Sequence, residues 1–154
     1  MLEFKLTNVE EQPYLYEERS CSRDPSDISA TMGGAFQNVM DFLSSRQISP
    51  IQVLAVYYTY DPDRMSFRAG FTVSPDAVTK ADGAVKAAVT PAGQVLTFTH
   101  VGPYSELRHS YGLMMEYIEK NGLKLGAPTW EIYVDDPQVT PPEQLKTEIF
   151  VSLA

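Results

Sequence analysis

The sequence predicts an α+β fold. Two β-α-β-β units related by a pseudo-twofold place their strands in an antiparallel sheet, with two helices on one face and a cleft on the other. Three observations predict it. Runs rich in Tyr, Val and Thr alternate with two stretches whose apolar residues recur at helical spacing. Those two stretches are copies: Met32, Phe36, Val39, Met40 and Leu43 are matched by Leu107, Tyr111, Met114, Met115 and Ile118, each 75 residues later. The same offset pairs Tyr58 with Tyr133 and Asp61-Pro62 with Asp136-Pro137. All helices share a period, but one register kept through a helix, a strand and an Asp-Pro turn is hard to reach by chance.

The elements follow in order. Pro13 to Arg19 is aromatic and weakly alternating, which suits a strand; the polar run from Ser22 to Asp27 is a loop. Ser26 or Asp27 caps a helix of about residues 28–45, and Ile48-Ser49-Pro50 ends the unit. Gln52 to Tyr60 and Ser66 to Ser74 form a hairpin around Asp61-Pro62-Asp63. Pro75 to Pro91 is a connector with room for a short edge strand at Val85, Ala87 and Val89. Gln94 to His100 is a strand, Val101-Gly102-Pro103 turns it into a helix of about 104–121, and Asn121-Gly122 stops that helix. Pro128 to Asp136 and Leu145 to Leu153 are the last strands. The packing expected is Phe36, Val39, Met40, Tyr111, Met114 and Ile118 against Ile132, Ile149 and Val151, with Met32 and Met115 also inside.

The 154 residues read as a single domain over 1–154, repeat one at about 12–75 and repeat two at about 93–153. Twenty acidic residues against twelve basic ones give a net charge of −8, which repels phosphates and argues against direct nucleic-acid binding. Cys21 is the one cysteine, so no disulfide framework or zinc knuckle is expected. No stretch approaches the roughly 20 apolar residues of a membrane span, and the N-terminus has no signal-peptide run, so the expected place is the cytoplasm. His100 and His109 lack a ligand spacing, so no metal or cofactor is expected; His100 is read as fixing the turn before Gly102-Pro103 and His109 as a surface residue.

The string His100-Val101-Gly102-Pro103-Tyr104, a helix, Asn121-Gly122, Glu131-Ile132-Tyr133, Asp136-Pro137, Pro141-Pro142 and Lys146-Thr147-Glu148-Ile149 resembles the GyrI-like small-molecule-binding family. That family includes DNA gyrase inhibitory proteins and the effector-binding domains of bacterial multidrug-responsive transcription regulators. The resemblance runs from about Tyr14 to Leu153 and implies the same duplicated fold with a cleft between its halves. It also implies that acidic cleft residues, by position Glu131 and Glu148, receive cationic aromatic compounds. Some members resemble hydrolases that open cyclopropane rings.

Strand alternation bears on the same residues. Glu131 and Tyr133 share one face of their strand, and Glu148, Phe150 and Ser152 share one face of theirs. If the aliphatic faces cover the helices, carboxylates and aromatics line the other side. Val56 then stands at the place of Glu131, with Tyr58 beside it, and Ala69 near that of Glu148. The candidate ligand-binding set is Glu131, Glu148, Tyr133, Phe150, Tyr58, Val56 and Phe71. A carboxylate in an aromatic cleft is costly unless neutralised, and a cation over a ring gains roughly 0.5–2 kcal/mol. The leading expectation is a free-standing binding module for a cationic or amphipathic aromatic ligand, monomeric or homodimeric, without membrane attachment and acting on transcription only through a protein partner. The alternatives are a hydrolase using Glu148, Glu131 or Tyr133, and a protein-binding inhibitor of the gyrase-inhibitory kind.

Overall fold

A computed structural model describes residues 2–58 and 63–154. The strands are β1 (Lys5–Val9), β2 (Pro13–Ser22), β3 (Val53–Tyr57), β4 (Arg64–Thr72), β5 (Lys86–Val89), β6 (Gly93–Val101), β7 (Leu125–Tyr133) and β8 (Lys146–Leu153); the helices are α1 (Pro25–Ser45) and α2 (Leu107–Lys120). All eight strands form one antiparallel sheet in the order β1-β6-β8-β7-β3-β4-β2-β5. Read from its two ends, the sheet runs through β6-β8-β7 and β2-β4-β3, equivalent strands of two β-α-β-β units meeting at β7 and β3. The α+β class and the antiparallel sheet hold. Asp61-Pro62 and Tyr60 lie outside the described residues.

The outermost strands are exchanged. β1 precedes the first unit yet pairs with β6 of the second, while β5 precedes the second unit and pairs with β2 of the first. The sequence predicts no strand before about residue 12. Four of the five side chains of β1 are exposed, so it has no buried face to leave an alternating pattern. The edge strand expected between Val85 and Val89 is β5.

α1 begins three residues earlier than expected. Asp24, rather than Ser26 or Asp27, is its N-cap: its carboxylate accepts from the Ser26 amide at 2.9 Å, and Pro25 supplies the preset φ of a first helical residue. Asp27 reaches back to the Ser22 amide at 2.8 Å. α2 follows a 3-10 turn over Tyr104–Glu106 and ends where Gly122 takes φ +66, the Leu123 amide closing on the Ile118 carbonyl at 3.0 Å. Its buried residues Ser110, Met114 and Ile118 stand 75 positions after Ala35, Val39 and Leu43, the buried residues of α1. The helical copies keep that offset.

Both helices pack on one side of the sheet. Val39 and Leu43 of α1 sit among Leu15, Phe71 and Val73, with Phe36 and Met40 at the margin; Ala35 meets Phe67 and Ala69. Met114 and Ile118 of α2 pack on Leu96, Phe98, Ile149 and Val151, with Tyr111 alongside. Two expectations fail. Met115 is 45% exposed, because it lies on the solvent side of α2. Ile132 belongs to a second apolar cluster with Tyr14, Tyr16, Leu54, Val56, Val95 and Trp130, which contains no helix residue. Its ladder partners Leu54 and Glu148 put it on the face away from the helices. Among the described residues no helix is long and apolar enough to cross a membrane.

Candidate functional site

One row of the sheet's helix side runs through Glu17, Ala69, Ala55, Glu131, Ile149 and Phe98 on neighbouring strands. α1 covers its Ala69 end and α2 its Ile149–Phe98 end. Glu131 therefore lies between the two helices, with only 3% of its surface exposed. A carboxylate this deep needs partners, and it finds hydroxyls. Tyr111 of α2 donates to Oε2 at 2.5 Å, Tyr133 to Oε1 at 2.5 Å, and Tyr57 to Oε1 at 3.4 Å. Its partners include no Lys or Arg among the described residues.

The rings extend outward from the carboxylate. Tyr133 meets Phe36 of α1 edge-on at 6.2 Å and Tyr104 of the 3-10 turn at 5.5 Å; Tyr111 meets Phe98 at 6.3 Å. Desolvation pushes the Glu131 carboxyl above its ordinary value, and the three tyrosine hydrogen bonds oppose this only in part. Burial, then the neighbouring Glu131 charge, push Tyr133 well above its ordinary value, so its hydroxyl stays protonated and can donate. Among the described residues, the site is a carboxylate in an aromatic box with no Lys or Arg partner.

His100 builds the approach to that box, as its position before Gly102-Pro103 predicts. It is buried, with Nε2 3.0 Å from the Pro103 carbonyl and Nδ1 2.6 Å from the Ser110 hydroxyl. A carbonyl can only accept, so Nε2 carries a hydrogen. The imidazole thus ties β6 to α2 and fixes the turn that carries Tyr104. His109 is exposed.

The seven candidate binding residues separate. Glu131 and Tyr133 stand together in the buried tyrosine cluster. Phe71 is on the same side but is core, 6.0 Å from Phe36 and packed with Leu15 and Val39. Glu148, Phe150, Val56 and Tyr58 are on the opposite face: Glu148 pairs with Ile132, Phe150 with Trp130 and Val56 with Trp130, while Tyr58 joins their side against Arg68. The expectation of one cleft holding both Glu131 and Glu148 is therefore corrected. Its premise, that aliphatic faces mark the helix side, fails because both faces are apolar. Val56 does not stand at the place of Glu131 either: residues 53, 55 and 57 share the face of 129, 131 and 133, so the strand copies need an even offset, and 76, which matches Val56-Tyr57 to Ile132-Tyr133, is one more than that of the helices. Tyr57, not Tyr58, is the counterpart of Tyr133. Tyr57, Tyr104 and Phe36 were not candidates for the site, and Tyr111 was expected only as core; the 76-residue strand offset is the signal that finds Tyr57.

The profile of the GyrI-like small molecule binding domain matches residues 2–154. No curated protein matches the chain. Among solved structures, the C-terminal domain of EcmrR is similar over 100% of this chain and 98% of that one, with TM-score 0.81 and 22% identity. EcmrR in complex with DNA is similar at TM-score 0.82 and 18% identity over 99% of this chain, which spans 57% of the EcmrR chain. SAV2435 bound to tetraphenylphosphonium is similar at TM-score 0.65 and 14% identity, over 99% of this chain and 94% of its own. A hydrolase from Listeria innocua is similar at TM-score 0.63 and 20% identity, over 99% and 92%. At these identities the likeness is one of fold.

Proposed function

Because the chain belongs to the GyrI-like small-molecule-binding domain family, we propose that Glu131 and its tyrosines receive a cationic aromatic ligand in the gap between α1 and α2. The observation that carries this is a carboxylate 3% exposed and partnered by tyrosine hydroxyls rather than by a basic side chain. Such a group is costly while charged and unpaired, and a ligand cation relieves that cost. The surrounding rings add cation–π attraction of roughly 0.5–2 kcal/mol each. Tetraphenylphosphonium, the compound bound to SAV2435, has this chemistry. Because Glu131 is covered, entry requires the half-buried Tyr104, Tyr111 and Tyr133 to move aside, and their rings then line the ligand.

The test is a calorimetric titration of tetraphenylphosphonium and of neutral triphenylphosphine oxide into the parent and Glu131→Gln. The substitution keeps the shape and removes the charge. Cation binding should weaken at least tenfold, about 1.4 kcal/mol, with the neutral compound unchanged. Equal affinities in parent and variant for both compounds would overturn the reading.

The raised pKa of Glu131 favours a second reading, in which it activates water as a general base while Tyr133 or Tyr111 donates to the substrate. The Listeria hydrolase shares the fold. Mass analysis of bound compounds separates the two: unchanged ligand supports binding alone, and a hydrolysed product lost in Glu131→Gln supports catalysis.

A further inference from the structure

The sheet face opposite Glu131 carries a tightly held cation. Arg68 of β4 lies with its guanidinium carbon 4.5 Å from the ring centres of both Tyr16 and Tyr58, and Nη1 donates to the Tyr14 hydroxyl at 3.1 Å. Burial pushes Tyr14 up to about 12, so that hydroxyl is neutral and does not cancel the guanidinium charge. The carboxylate partner is Glu18, opposite Arg68 in the β2–β4 ladder, but its Oε1 stands 3.6 Å from Nε, beyond hydrogen-bond reach. Glu18 has 63% of its side chain exposed. Nε is buried and has no acceptor, an unmet donor on a charged group. Glu18 also lines a cavity of about 350 Å³, together with Arg19, Ser20, Tyr58, Ser66 and Phe67; Arg68 is not part of its wall and is met through Glu18, and the volume is large enough for a one- or two-ring compound.

We propose that this cavity is a second ligand site, taking an aromatic monocarboxylate. The carboxylate displaces Glu18 into solvent and accepts from Arg68 Nε, while the ring lies against Tyr58. The Ser20 and Ser66 hydroxyls, 2.8 Å apart, stand at the edge of the same cavity. Arg19 also lines the cavity, but its guanidinium is already paired with Glu17 at 2.8 Å, so Arg68 alone is left to meet a carboxylate and a dianion would carry a charge without a partner. The ring requirement comes from Tyr58, 42% exposed, which offers a half-open aromatic face to the cavity. Glu18 acts as a tethered competitor for the same donor. The site is independent of the Glu131 reading, although consecutive residues serve the two faces, Tyr57 at Glu131 and Tyr58 at Arg68.

The test titrates 2-naphthoate and neutral 2-naphthamide into the whole chain, Glu18→Gln and Arg68→Gln, by calorimetry and by the Arg68 Nε–H resonance. Naphthoate should bind at least tenfold better than naphthamide and move that resonance. Glu18→Gln should tighten naphthoate at least threefold, and Arg68→Gln should weaken it at least tenfold. Where Arg68→Gln does not fold, Arg68→Lys replaces it with the same expectation, since an ammonium keeps the charge and loses the Nε donor. Equal binding of acid and amide, no tightening in Glu18→Gln, an unmoved Nε–H resonance, or full affinity in a folded Arg68 variant would each overturn the proposal.

Discussion

Ala55 and Glu131 are partners in the β3–β7 ladder, at the centre of the sheet where the two halves meet. Alanine thus stands in the first half where the second has a carboxylate. The halves contribute matched tyrosines, Tyr57 and Tyr133, to a single charge. Duplication supplies the frame, and one unmatched residue supplies the buried charge.

That charge should make stability fall as pH rises. Burial holds the native Glu131 pKa above its ordinary 4.5. Between the two values the native state binds more protons than the unfolded state, so stability declines through that window and levels off above the native pKa. Glu131→Gln has no such titration. Its stability relative to the parent should grow as pH rises from about 4 and then plateau in urea melts between pH 4 and 8. A constant difference would show that the carboxylate is not desolvated.

Tyr111→Phe removes the first of the hydrogen bonds that hold the Glu131 pKa down. The carboxyl should titrate higher still, visible in carbon NMR of Glu131. The stability cost should be about 1.5–3 kcal/mol where the carboxylate is charged, the usual worth of a hydrogen bond to a charged group, and smaller in acid. A Glu131 titration midpoint that does not rise would exclude Tyr111 as a donor to the charged form.

Met114→Ala should cost about 2–5 kcal/mol, because the side chain is 1% exposed among Leu96, Phe98 and Ile149. Met115→Ala should change stability by less than about 0.5 kcal/mol, since Met115 points to solvent. Denaturant melts that reverse the order would mean that α2 is rotated by one residue about its axis.

The fold was legible where periodicity is strict and burial one-sided. Ala35, Val39 and Leu43 against Ser110, Met114 and Ile118 keep the 75-residue copy because a helix shows one face to the sheet. Of the residues that gather around the buried carboxylate, the sequence brings together Glu131 and Tyr133 alone. A strand alternates every residue, so the single-residue difference between offsets of 75 and 76 moves Val56 and Tyr58 to the wrong side. Ile132 and Ile149 both look like core, and both are, on opposite faces. Nothing local in the sequence says that tyrosines at 57, 111 and 133 converge on one carboxylate.

Gly70 lets the β2 backbone approach β4 closely. A Cβ there would lie 2.0 Å from the Leu15 carbonyl oxygen and 2.8 Å from the Tyr16 Cα, and neither backbone atom can give way without opening the ladder. Gly70→Ala should cost roughly 3 kcal/mol or more, the upper range for one substitution. Gly33, exposed inside α1, meets nothing within 4 Å, so Gly33→Ala should stabilise by about 0.5–1 kcal/mol. Thermal melts of the two variants should move in opposite directions.

Glu148 and Glu131 are one strand apart, yet their effects on a cationic ligand should differ entirely. Glu148 pairs with Ile132 and Thr99 on the helix-free face, whereas Glu131 pairs with Ile149 beneath the helices, so the sheet itself separates the two carboxylates. Glu148 is also only partly buried, and water screens what remains of its field. Glu148→Gln should therefore leave tetraphenylphosphonium affinity within about twofold of the parent, while Glu131→Gln lowers it at least tenfold, about 1.4 kcal/mol. Titrating both variants at two salt concentrations sharpens the comparison: a residual Glu148 effect should vanish in high salt, and the Glu131 effect should persist. If Glu148→Gln is the more damaging of the two, the cation binds on the helix-free face and the tyrosine-held carboxylate is structural.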